Sequence, residues 1–306
     1  MSKIKSKILL VINRIIRKTP WYKALWGGAD KIFKLNTFGL QVVNTGSGSG
    51  VHDFNYDGLP ISGFNFALGP QSLGHDYNIL KNYFSYFKKG CTVIIPICPF
   101  SGMVVKYNKE HNFKYYPMLH PATIENFDEA ERTRAYKLYR EPIRAINVSF
   151  LKKIVRDLLN KFKCKIRCMQ RPLNLQESAN SFISGWKTQF SITDLSAPIS
   201  EAHRADVNIR KKTLGDMLEF CKERGFRPIV VMPPMNSSLY RQFPQSFKIQ
   251  YVNPLIETTV DKECQFIDYT KDERFADDCF YANALFLNQE GAKFFTRHLL
   301  MDLKII

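Results

Sequence analysis

Short apolar, β-branched runs alternate with helix-period segments along this chain, the pattern of a parallel sheet covered by helices. The runs LQVVN (40–44), FNFAL (64–68), CTVIIPI (91–97), PIVVM (228–232) and QFID (265–268) read as strands. CTVIIPI is apolar throughout, as suits a strand buried on both faces. Leu73, Tyr77, Leu80 and Phe84 recur at helical spacing and predict a helix over about 71–87 with those four side chains inward, closed by Gly90. Further helices are expected at about 202–224, near 246–259 and from about 289. Residues 102–200 are less regular. There, polar helical segments near 126–140 and 149–163 precede a stretch rich in Asn, Ser and Gln that reads as loop.

The expected fold class is therefore α/β, with a flavodoxin-like, doubly wound, mostly parallel sheet. One domain is expected over residues 36–306, with a helical insertion at about 102–200. Such sheets hold their sites beyond the carboxyl ends of the strands. That directs attention to TGSGSG after the first strand, LGPQS after the second, CPFS after the third, and the loop before the last helix.

Ahead of this domain, residues 1–35 form a basic amphipathic segment. Ile4, Ile8, Val11, Ile12 and Ile15 share one side of a helix, while Lys3, Lys7, Arg14, Arg17 and Lys18 fall on the other, with Lys5 the exception. Pro20 limits the helix, and Trp21, Tyr22 and Trp26 follow. Two readings stand side by side: an interfacial anchor to anionic lipid, and packing onto the protein's own domain.

Charge sharpens the first of these. The formal net charge is +16; residues 1–35 carry nine Lys/Arg against Asp30, and residues 152–171 carry eight against Asp157. The rest of the chain is nearly neutral. A field this uneven favours an anionic membrane surface or a polyanionic glycan over a neutral partner, although two solvated helix faces would also carry it. Nucleic acid is disfavoured, because Phe162 is the single aromatic in the stretch 152–171 and single-strand binders use several.

Seven cysteines, with no CxxC pair, sit partly within apolar runs, which points to reduced thiols and a cytoplasmic location. Cys164 and Cys168 lie four apart without a neighbouring His, so no metal site is expected. No run reaches the roughly 18 apolar residues of a membrane span. ILLVINRII (8–16) is broken by Asn13 and Arg14 and lacks a cleavage site, so attachment is expected to be peripheral, at the inner face of a membrane.

The loops at the strand ends carry a family resemblance. VVNTGSGSG resembles the first block of the SGNH (GDSL-like) hydrolase superfamily, in which a strand runs into a turn presenting the nucleophilic Ser. NFALGPQSL resembles the second block, whose Gly supplies an oxyanion-hole N–H. IDYTKDERFADDCFYANALFLNQEGAKFFTRHL resembles the last block, D-x-x-H followed by Leu-Asn and a Gly-Ala helix start. The similarity covers about residues 38–100 and 200–300, and the chain also resembles the D-alanyl transfer proteins of teichoic-acid synthesis and the O-acetyltransferases of surface polysaccharides. It implies a role in bacterial surface-polysaccharide (capsule or exopolysaccharide) assembly on acyl-modified glycan intermediates, beside other assembly enzymes. Any turnover would be ester hydrolysis or O-acyl transfer, with no cofactor.

Residue by residue, the match is degenerate. Gly48 occupies the nucleophile position, flanked by Ser47 and Ser49; Phe286 occupies the His position and Asn283 the Asp position. A serine nucleophile needs a base, and the base an orienting acceptor; Gly, Phe and Asn provide none of them. The Asn of the third block is absent from PICPFSG, where Ser101 is the nearest polar side chain. Ser47 remains the candidate nucleophile if His52 or His75 reaches it. His75 and Asp76 point in different directions on a helix and make no dyad, while His120 and His203 read as structural. The expected binding cleft comprises Gly46, Gly48, Ser49, Gly69, Gln71, Ser101, Asn283 and Asn288, with Tyr281 on the far wall. Glycines at 46, 48 and 50 are expected to admit positive φ and form an anion nest.

Two other classes remain. VVNTGSGSG also resembles the first motif of class I S-adenosylmethionine methyltransferases, with Asn44 in place of the acid, although VHDFNYDGLPISG reads as loop rather than helix. The third class is a non-enzymatic, membrane-associated adaptor.

Overall fold

Five of the apolar runs become the strands of one sheet. In the computed structural model, which describes residues 3–104, 112–145 and 174–306, these are β1 (Leu40–Asn44), β2 (Gly63–Asn65), β3 (Phe87–Pro96), β4 (Arg227–Met232) and β5 (Gln265–Asp268). Every pairing is parallel and the order is β2-β1-β3-β4-β5, the order of flavodoxin-like doubly wound sheets. The helices, in chain order, are α1 (Lys3–Arg17), α2 (Pro20–Phe33), α3 (Gly48–His52), α4 (Leu73–Tyr83), α5 (Glu129–Arg140), α6 (Leu175–Phe190), α7 (Glu201–Glu223), α8 (Asn253–Asp261) and α9 (Gln289–Asp302), with shorter helical turns between some of them.

The chain divides into two compact units: residues 37–106 with 173–306, and residues 1–36 with 107–172. The expected insertion is thus split. Its first part groups with the N-terminal segment, and its end belongs to the sheet unit.

In the sheet unit, strand alternation places Val42, Ile94, Ile229 and Val231 on one face, where they share a core with Phe295, Leu299 and Leu300 of α9. The intervening residues Val43, Val93, Ile95 and Val230 are equally buried. On α4 the inward residues are Leu73, Asp76, Ile79, Leu80 and Tyr83, so the expected stripe is corrected at two positions. Tyr77 is half-buried and Phe84 is exposed beyond the helix end. Gly90 does not close that helix. It lies inside β3 at φ +76, where the register between β1 and β3 shifts in a bulge. β2 is shorter than FNFAL, but Phe66 and Leu68 still donate backbone hydrogen bonds to Asn44 and Gly46 and carry the chain along β1.

The Asn-, Ser- and Gln-rich stretch contains a sixteen-residue helix, α6, not a loop. Asn174 caps it by accepting from the Glu177 N–H. Leu175, Ala179, Phe182, Trp186 and Phe190 recur every three or four residues on one face, a stripe diluted by the polar residues between them.

In the N-terminal unit, Thr19 caps α2 by accepting from the Tyr22 N–H, with Pro20 as the first helical residue. Trp26 is fully buried and meets Tyr139 of α5 edge-on at 5.4 Å. The Tyr22 hydroxyl donates to the Tyr139 carbonyl, and the Tyr139 hydroxyl donates to Asp30. Tyr22 and Trp26 are therefore inside the unit, as the packing reading has it, held by aromatic contacts and by the Tyr22 hydroxyl bond. Asn13 accepts from the Ile143 N–H and Arg17 donates to the Arg140 carbonyl, fastening α1 to the end of α5 and the turn that follows it. The basic stretch 152–171, the helix expected at 149–163, and Cys164 and Cys168 lie outside the described residues.

Candidate functional site

The carboxyl ends of β1, β2 and β3 open on a cavity of about 370 Å³, at the small end of the range for small-molecule sites. Ser47, Gly48, Ser49, Gly69, Gln71 and Ser101 line it as expected. Gly46 lies just behind them and organises the turn. Its φ of +115 requires glycine, its N–H donates to the Asp76 carboxylate at 2.7 Å, and its carbonyl accepts from the Gln71 amide at 3.2 Å. The same amide donates to Asp76, which is buried on the cavity wall.

The expected run of positive-φ glycines is confined to Gly46. Gly48 and Gly50 are helical, in α3, and other contacts explain them. A Cβ on Gly50 would lie 2.5 Å from the Thr45 carbonyl oxygen and 2.7 Å from Ala67 Cβ. A Cβ on Gly48 would lie 2.6 Å from the Phe286 ring. The helix α3 also shows that the start of VHDFNYDGLPISG is helical rather than loop.

Phe286 thus stands directly over the position matched to the nucleophile. Its ring stacks on His52 at 4.7 Å and meets Phe182 edge-on at 5.8 Å. Asn283 holds the turn that presents it, accepting from the Leu285 and Phe286 N–H groups at 3.0 and 2.8 Å. Asn288 accepts from the Gly291 N–H at the start of α9 and donates to the Cys279 carbonyl. Neither asparagine lines the cavity; Leu285 and Phe286 do so from this loop. The Asn283 side-chain oxygen and both ends of the Asn288 amide are engaged in shaping backbone. Tyr281 is buried in the core with its hydroxyl on the Phe275 carbonyl, away from the cavity wall.

Ser47 has no histidine partner among the described residues. Its hydroxyl accepts from the Gln71 N–H at 3.1 Å. His75 Nδ1 lies 3.0 Å from the Ser72 hydroxyl, and His52 is against Phe286. Burial pushes His52 below the ordinary histidine range, so its ring favours the neutral form. Ser101 accepts from the Cys98 N–H at 2.8 Å, and burial raises the Cys98 thiol, which disfavours a thiolate. Behind Ser49, the fully buried Asp53 accepts from the Leu287 N–H at 2.9 Å. Burial holds its carboxyl well above the usual range despite that bond.

The rest of the cavity was not anticipated. Phe182, Trp186, Gln189 and Phe190 come from α6, and the buried Arg210 from α7. Trp186 packs on Phe100 at 4.6 Å and on Phe182 at 5.4 Å, joining the rings into one aromatic wall that reaches Phe286. The helical spacing of the α6 aromatics was the available signal. Arg210 carried none, since nothing local distinguishes it from the other cations of α7.

No protein-family model matches this chain, and no curated protein matches it significantly. No described helix is long and apolar enough to cross a membrane.

Proposed function

We propose that this protein is a degenerate SGNH-like member of bacterial surface-polysaccharide assembly, whose cavity binds acyl-modified or anionic glycan intermediates without Ser-His-Asp hydrolysis. The observation that carries this reading is the Phe286 ring over Gly48. It fills the space a serine side chain would need, and it offers no nitrogen to take a proton. The aromatic wall suits the apolar faces of sugar rings. Arg210 suits a carboxylate or phosphate. The methyltransferase alternative is weakened by Asn44. Its amide donates to the Thr45 and Gly50 carbonyls and to Asn65, so the position matched to that motif's acid is spent inside the turn.

Two assays test the reading. General acid–base assistance is commonly worth about 10²–10⁴ in rate, so turnover of an activated acetyl ester stays at background for the wild type and for Ser47→Ala and Ser49→Ala. O-acetylated oligogalacturonate, titrated by tryptophan fluorescence, gives a saturable change that disappears in Trp186→Phe. Robust ester turnover abolished by Ser47→Ala contradicts the proposal.

A further inference from the structure

The outer face of α1 has no partner among the described residues. Among the described residues thirteen large hydrophobic side chains are exposed, and four of them, Ile8 (53%), Leu10 (69%), Val11 (57%) and Ile15 (61%), fall within eight residues of this helix. Ile8, Val11 and Ile15 form a single stripe at helical spacing. Lys7 and Arg14, with Lys18 just past the helix end, border it on one side with Leu10 among them, and α1 contains no acidic residue. The inner face is committed elsewhere: Ile16 and Asn13 are buried, and Asn13 accepts from Ile143.

We infer that α1 is a fixed docking face for a bilayer containing anionic lipid. The stripe enters the acyl boundary, and Lys7, Arg14 and Lys18 sit among the headgroups. Charge complementarity selects this occupant, because an apolar stripe bordered by cations on a helix that itself carries no acid matches a negatively charged apolar surface. Packing and anchoring are then two faces of one helix. Attachment orients the whole N-terminal unit instead of tethering it by a loose arm. This inference stands apart from the reading of the cavity, and either can fail alone.

The test is co-sedimentation of the full chain with phosphatidylcholine vesicles and with vesicles containing phosphatidylglycerol. The wild type pellets with the anionic vesicles only, and is released at 1 M salt, where the Debye length falls to about 3 Å. Lys7→Glu with Arg14→Glu and Lys18→Glu lowers the partition coefficient at least about 100-fold, from the roughly fivefold that each basic residue contributes at an anionic surface. Ile8→Ser with Val11→Ser and Ile15→Ser lowers it at least about tenfold, since each buried CH₂ contributes roughly 0.8 kcal/mol, about fourfold. These side chains are exposed, so near-ultraviolet circular dichroism stays unchanged. Absence of wild-type pelleting overturns the inference, as does undiminished pelleting of either triple variant. A solution dimer that the Ile→Ser variant dissociates would assign the stripe to a second copy, and would also overturn it.

Discussion

At residues 46–50, Gly46 and Gly50 are buried and Ser47, Gly48 and Ser49 are half-buried along the cavity wall. Gly46 is held by Asp76 and Gln71, Gly48 lies against Phe286, and Gly50 lies against Thr45 and Ala67. At residues 8–15, four apolar side chains face water, forgoing most of the roughly 1.5–3 kcal/mol that each would gain by burial. The difference separates two kinds of functional surface. The turn is a glycine-bearing wall of the cavity whose close contacts leave no room for added side chains at Gly48 and Gly50. The open helix face retains an uncompensated apolar surface, which only a partner outside the described residues relieves.

The largest effect that sharpens this contrast is inside the N-terminal unit. Trp26→Ala is expected to cost about 4 kcal/mol by denaturant unfolding, as for other fully buried large aromatics. On the opposite face of the same region, Ile8→Ser or Ile15→Ser changes stability by less than about 0.5 kcal/mol. A cost above 2 kcal/mol for either isoleucine would show that the outer face is packed in solution and would erase the comparison.

A smaller effect probes the enclosed turn. Gly48→Ser alone is expected to cost about 2 kcal/mol, because its Cβ overlaps the Phe286 ring. In a Phe286→His background the same change costs less, since imidazole lacks the outermost ring carbon that makes the contact. A double-mutant cycle reads this as coupling between the positions. Strict additivity would show that they do not meet.

The strands were legible because their cues are local. LQVVN and QFID match β1 and β5 residue for residue, and the parallel order follows from helices intervening between strands. α6 escaped because five apolar positions are scattered through a polar segment, although their spacing was present in the sequence. The stripe on α4 was misassigned because the helix ends at Tyr83, before Phe84 could face inward. The grouping of residues 1–36 with 107–172 depends on Tyr139 and Ile143 meeting α1 and α2 more than a hundred positions away. No local pattern encodes such a contact. In the site, the three glycine- and serine-bearing loops were legible from where parallel strands end. Asn283 and Asn288 were assigned to the cavity because a polar side chain in a loop reads as available. The structure uses both to hold backbone N–H groups.

The central proposal is that of an SGNH-like cavity without Ser-His-Asp chemistry. Labelling by a fluorophosphonate probe tests it most directly, on the wild type, Ser47→Ala, Ser49→Ala and the triple variant Gly48→Ser, Asn283→Asp, Phe286→His. The account predicts no labelling of the first three proteins and covalent labelling of the triple variant at residue 48. Strong labelling of the wild type that Ser47→Ala abolishes would contradict it, placing a live nucleophile one residue before the position that Phe286 covers.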